Sequence, residues 1–419
     1  MKTRGRCLRI VAALLLLSAA PPLRAREDFF SNVAPAVAAN SWHATSTVNA
    51  PSGRFIPLAV WTGSKMIIWG GRSSNGAGSL GDGRIYDPVT NSWKAVSTVN
   101  APSAREAAST VWTGTRMIVW GGAQFKGEVL SVKVLGDGGV YDPETDTWTK
   151  ISLSGAPSPR GYHTAVWTGS EMIVWGGSAR AVSPTPVDFG DVNTGAIYEP
   201  VSNTWRPVST AGAPSSRDRH TAVWTGSHML VWGGDDGKDH DLATGGIYDP
   251  VTDSWAAMST AGAPAGRDNH AGVWNGSEMI VWGGYASTPV TNTGGVFDPL
   301  TNSWKPTSTA GAPSRRAFSC AIAFRGRLIV FGGWDGDTDL NTGGIYDPET
   351  DSWTATTTSG APSKRAEGSV VSTGSAIIVW GGSDNTGGIY RPPDFACPDT
   401  RECIVAVPPP DAVPIDSRR

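Results

Sequence analysis

Seven arginines recur at one fixed place in this chain: Arg54, Arg105, Arg160, Arg217, Arg267, Arg316 and Arg365 each stand 16 residues before a Gly-Gly pair. A guanidinium offers five donors in a rigid fork that suits carboxylates and carbonyls. Such a set has two readings. It is either a cationic rim that takes an anionic ligand, or a structural device in which each Arg bonds to carbonyls or acids of the adjacent repeat. Trp334 is the one tryptophan outside the repeat, and its loop position offers an aromatic face to a ligand. Asp335, Asp337 and Asp339 place carboxylates at alternating positions, as the start of a calcium loop does. The match is incomplete, because Leu340 stands where the sharp-turn glycine belongs and no Glu closes the loop. Asp235, Asp236, Asp239 and Asp241 form a similar acidic run. His163, His220 and His270 each follow a repeat arginine by three residues. Zinc needs nitrogens at about 2.1 Å from one point, whereas equivalent positions in successive repeats are whole sheets apart, so these histidines read as packing residues. Cys397 and Cys403 are expected to form a disulfide in a Pro-rich tail, and Cys320 reads as a buried small hydrophobe. No phosphate loop, nucleophile elbow or zinc signature is present, and no catalytic residue is assigned.

The elements that position these residues follow from the repeat. Gly-Gly pairs after an apolar run start at Gly70, Gly121, Gly176, Gly233, Gly283, Gly332 and Gly381. A Trp precedes every repeat arginine by 12 residues, from Trp42 to Trp353, and a Pro precedes it by three. Each unit holds four short strand-like runs, illustrated by 163–167, 172–175, 196–198 and 204–208. The apolar runs are continuous, which predicts sheets covered on both faces. With Gly 52 and Pro 30 the chain has little room for long helices. The Trp42 strand has no unit of its own, and the last unit has Tyr390 but no Trp. The two ends are expected to complete one blade.

These motifs resemble those of the kelch β-propeller family: the recurring Arg, an apolar strand, then Met-Ile-Val-Trp-Gly-Gly, Gly-Gly-Ile-Tyr-Asp-Pro and Asp-Ser-Trp. The resemblance spans residues 42–390 and has a period near 50 residues. It implies an all-β, seven-bladed propeller of four-stranded antiparallel blades, closed by an N-terminal strand around Trp42. It also implies a role in binding a protein or glycan, since corresponding arginines of some family members contact acidic peptides. Two alternatives stay open: a sugar-converting enzyme like the sialic acid mutarotases, and a structural surface component. Length changes fall between the second and third strands, so the loop face they build is the expected functional surface. The long loops 123–136 and 178–193 are expected to stand above it.

Domain organisation is read as a signal peptide over residues 1–25, a linker over 26–38, the propeller over 39–391 and a Pro-rich tail over 392–419. Lys2, Arg4, Arg6 and Arg9 precede an apolar run from Ile10 to Ala20, too short to span a bilayer. Export places the mature protein outside the cell or in a periplasm, with no membrane span after processing. Removing residues 1–25 takes five bases and no acid, leaving 29 bases against 37 acids. That acidic balance argues against nucleic acid as a partner.

Overall fold

The computed structural model describes residues 39–125, 132–179, 190–238, 240–286 and 290–393. The expected signal peptide, the 26–38 linker and the Cys397–Cys403 pair lie outside the described residues. So do most of the tail, Asp239, and the central parts of both long loops. Every regular element among the described residues is a β-strand, and seven four-stranded antiparallel sheets form the blades of a propeller.

Blade three shows how sequence makes each sheet. Its strands are Thr164–Trp167, Met172–Trp175, Gly195–Glu199 and Thr204–Val208, hydrogen-bonded in that order from the channel outward. The second strand is wholly apolar because both its faces are covered by neighbouring blades, and all four residues are 0% exposed. The outer-strand Trp205 stacks on Tyr198 at 4.9 Å between centroids. Its indole nitrogen donates to Ser152 O, on the preceding blade's connection, at 2.9 Å. The Tyr198 hydroxyl in turn donates to Asn203 Oδ1, which sits at positive φ in the turn between them. Seven outer tryptophans repeat the inter-blade bond, from Trp42 to Thr357 O through Trp353 to Ser308 O. The blades are thereby linked in series as well as packed.

The ring closes as the repeat count requires. Ser41–Ala44 pairs with Gly387–Arg391 in the seventh blade, with Trp42 opposite Tyr390. Trp42 packs on Phe331 of blade six at 4.5 Å and on Tyr390 at 4.9 Å. Asn40 accepts from the Tyr390 hydroxyl at 2.7 Å, doing for blade seven what Asn203 does for blade three.

Strand alternation puts the links from second to third strand, and from each fourth strand to the next blade, on one side of the ring. The other two turns open on the opposite side. Arg54, just ahead of the first strand of blade one, confirms this by bonding both Gly70 O and Asp82 O, which flank the second-to-third link.

Candidate functional site

The seven repeat arginines do form a ring, but it is turned away from solvent. Each is 0–1% exposed. Arg217 shows why: Nη1 donates to Gly233 O and Thr244 O, Nη2 to Ser215 Oγ and Thr244 Oγ1, and Nε to Ser215 O, at 2.7–3.0 Å. All five donors are used, and every acceptor lies in the residue's own blade or the turn leading into it. The expectation of side-chain bonds to the adjacent blade is therefore corrected: the backbone makes that contact, as where Gly177 of blade three donates to Arg217 O at 2.8 Å. Burial lowers the pKa values of all seven, to about 10 in Arg160, Arg217, Arg267 and Arg316; beside Arg54, Arg105 and Arg365 the carboxylates of Asp82, Asp137 and Asp384 offset part of that lowering. The Gly-Gly pair makes this clamp possible. At Gly71, with φ +95°, a Cβ would lie 2.6 Å from Phe55 O, so only glycine lets the loop pass over the clamp strand.

The residues that do face the channel mouth are two positions after each arginine: Ile56, Ala107, Tyr162, Arg219, Asn269, Phe318 and Glu367. All seven have positive φ, between 47° and 56°, although none is glycine. Left-handed backbone costs an L-residue about 1 kcal/mol or more, and persists where surrounding structure over-determines it. Here the constraint is a hoop of six backbone hydrogen bonds passing from blade to blade, open only between Ile56 and Ala107. Tyr162 N donates to Ala107 O, Arg219 N to Tyr162 O, Asn269 N to Arg219 O and Phe318 N to Asn269 O. Glu367 N to Phe318 O and Ile56 N to Glu367 O carry it across the closure. The hoop projects seven unlike side chains around a cavity of about 450 Å³.

A second tier comes, in blades one to six, from the residue after the Gly-Gly pair, which pairs with the residue after the arginine. In blades one to six this tier holds Arg72, Ala123, Ser178, Asp235, Tyr285 and Trp334. The mouth is consequently uneven. Tyr285, Phe318 and Trp334 form an aromatic row, with Tyr285 5.6 Å from Phe318 and 5.9 Å from Trp334. Arg219 lies over the Tyr162 ring at 4.9 Å and 3.5 Å from Asp218. Arg72 spans Glu106 at 3.6 Å and Glu367 at 3.2 Å.

Burial pushes the mouth carboxyls upward: Glu106, Asp191 and Asp268 to about 7, Asp218 to about 6. Glu106 is 0% exposed, with neither oxygen hydrogen-bonded. A carboxyl whose folded pKa exceeds its unfolded value of about 4.3 contributes stability below that value and loses it as pH rises through the folded pKa. Glu106→Gln is thus expected to leave the Tm near wild type at pH 5 and raise it relative to wild type at pH 8. Thermal melts at both pH values check this; an equal difference at the two would contradict it.

The other candidates from the sequence are placed as follows. Trp334 is half-buried in the aromatic row. Asp335 Oδ1 accepts from the backbone of Asp337 and Thr338, and the Asp337 side chain is 82% exposed. The run of Asp335, Asp337 and Asp339 therefore forms an acidic turn. Among the described residues, the one group of side chains close enough to share an ion is Asp191, Asp218 and Asp235. His163, His220 and His270 are inter-blade packing residues, bonded to Ser109, Thr164 and Thr221 and set edge-on to Trp120, Trp175 and Trp232. Burial drives all three well below the usual imidazole range. Cys320 is a buried free thiol, raised to about 12 by desolvation.

Sequence reasoning did not single out the hoop, and of the second tier it named only Trp334 and Asp235. The signal in the repeat itself is faint: residues one and two after each Arg, and the one after each Gly-Gly, vary beside an invariant Arg or glycine, but so do other positions around them.

A seven-bladed propeller with buried arginine clamps and a variable mouth defines a class of repeat scaffold, and sequence comparison makes it specific. Residues 31–234 and 219–403 match the model of the KLHDC2/KLHL20/DRC7 Kelch-repeats domain. The chain belongs to the kelch-repeat family. It is 32% identical over 178 residues to the human Rab9 effector protein with kelch motifs, covering 41% of this chain and 44% of that protein. It is 28% identical over 198 residues to acyl-CoA-binding domain-containing protein 4 of Arabidopsis thaliana, covering 46% and 27%. Human Kelch domain-containing protein 3 is 27% identical over 164 residues, covering 36% and 40%. The aligned region spans less than half the length of each of these relatives.

Proposed function

We propose that this chain is an exported protein-binding module whose docking surface is the channel-mouth face of the propeller. The observation that carries this reading is the hoop: seven equivalent backbone positions, held in a costly conformation, present seven different side chains to one open cavity. A purely structural ring has no need of unlike residues there. Similarity to a protein named as a Rab9 effector supports a role in protein recognition. Export rests on the basic N-terminus and the short apolar run that follows it; a mature protein beginning after Ala25 is the result expected from N-terminal sequencing.

Binding energy at protein interfaces concentrates in a few aromatic and arginine anchors. Phe318→Ala combined with Arg219→Ala is expected to weaken partner binding at least about tenfold while the protein still folds. Leu300→Asp serves as control, because Leu300 is 94% exposed on the opposite side of the ring. Equal affinity of the double variant and wild type would refute the placement of the surface.

One observation favours a second reading in which the ligand is a sugar, bound or converted at the same mouth. The row of Tyr285, Phe318 and Trp334 offers stacking faces beside carboxyls of raised pKa. Binding of wild type on a glycan array, lost in Trp334→Ala, would support it over the protein reading.

A further inference from the structure

Blades three and four bring oxygen ligands together at the mouth. Ser178 bridges to Asp191 across blade three's extension, and Asp218 bridges to Asp235 across blade four's. Partners in an antiparallel bridge project to the same side, so Asp218 and Asp235 set like charges opposite one another, a destabilising pairing when nothing offsets it. Asp191 joins them from the neighbouring blade. One carboxylate oxygen from each of the three lies within 4.8 Å of the others. Both Asp191 oxygens are buried, and among the described residues no group beyond the adjacent Ser178 hydroxyl bonds them. Ser178 is an independent sign: it is 2% exposed, its hydroxyl is aimed at the Asp191 carboxyl, and no described group outside the cluster bonds it. Among the described residues one cation reaches the group, Arg219, at 3.5 Å from Asp218, and it is also drawn over the Tyr162 ring.

We propose that Ser178, Asp191, Asp218 and Asp235 form a calcium site between blades three and four. The donors are all oxygen, which selects a hard cation. The adjacent His163 and His220 are directed to Ser109 and Thr164 and lie outside the set. Ligands from several separate segments give an irregular cage, which suits calcium's six to eight flexible positions better than magnesium's strict octahedron. Bound calcium would offset the facing charges and tie the end of blade three's long loop to blade four. This site does not depend on the partner proposed above.

The test is calorimetric titration of the full-length protein with calcium chloride, together with melts in calcium and in EDTA. A saturable one-site heat and a higher Tm in calcium are expected, because a ligand that binds the folded state alone stabilises it. Asp191→Asn is expected to weaken binding at least about tenfold and to abolish the Tm shift, because affinity follows the count of charged ligands. Asp335→Asn is expected to match wild type. The proposal is overturned if wild type gives no heat and melts alike in both buffers, if Asp191→Asn binds as wild type does, or if magnesium binds equally well.

Discussion

Replacing Arg217 with methionine is expected to destabilise the protein by at least about 3 kcal/mol, read as a lower denaturant midpoint with an unchanged slope. The side chain is 0% exposed and its five donors meet three carbonyls and two hydroxyls. Methionine fills much of the volume and leaves those acceptors buried without donors, at about 1–3 kcal/mol each where water cannot enter. Arg217→Lys is expected to fail in the same way, since one ammonium on a flexible stem cannot bridge three carbonyls and two hydroxyls set by a planar fork. This separates the two readings of the repeat arginines. An exposed ligand contact would tolerate both changes without loss of stability, and a wild-type midpoint for Arg217→Met would return the ring to the list of ligand residues.

Deleting residues 38–50 is expected to abolish cooperative unfolding and drive the protein into aggregates on size-exclusion chromatography. The deletion removes the outer strand of blade seven, with the Trp42 bond to Thr357 O at 2.9 Å and both Asn40 contacts. It exposes the edge of Gly387–Arg391, a free template for pairing with another chain. It also uncovers Phe331 and Tyr390. A circular permutant that re-attaches the segment beyond Arg391 through a short turn, like 88–91 in blade one, is expected to recover a monomer. A deletion variant that stays monomeric and melts with wild type would contradict this account of closure.

The scaffold is legible in the sequence because each blade repeats the same physical tasks with the same residues. The outer Trp bonds the preceding blade, the Tyr caps a turn in every blade but the fifth, where Phe297 replaces it, the Arg gathers carbonyls and the Gly pair lets the chain cross them. Even the shared blade follows from an orphan Trp42 and a last unit without its Trp. The direction of the clamp was not legible, because a spacing of 16 residues says only that Arg217 and Gly233 belong together, not which acceptors complete the fork. The mouth was hidden for two reasons. Left-handed backbone is ordinarily marked by glycine, but here Ile56, Phe318 and their counterparts are held there by neighbouring blades. And Asp191 meets Asp218 and Asp235 only because two loops return to the same edge; along the chain it stands 27 and 44 residues before them. The sequence pointed to the alternating acids Asp335, Asp337 and Asp339, and to Asp235 within a similar run, because both are contiguous along the chain.

The most direct test of the central claim, that the mouth is the docking surface, is site-specific photo-crosslinking. A photoreactive residue replacing Phe318 on the hoop is compared with one replacing Leu300 on the far side, each in otherwise wild-type protein exposed to its native environment. The account predicts a discrete crosslinked partner from position 318 and none from position 300. Crosslinking from position 300 with silence at 318 would contradict it.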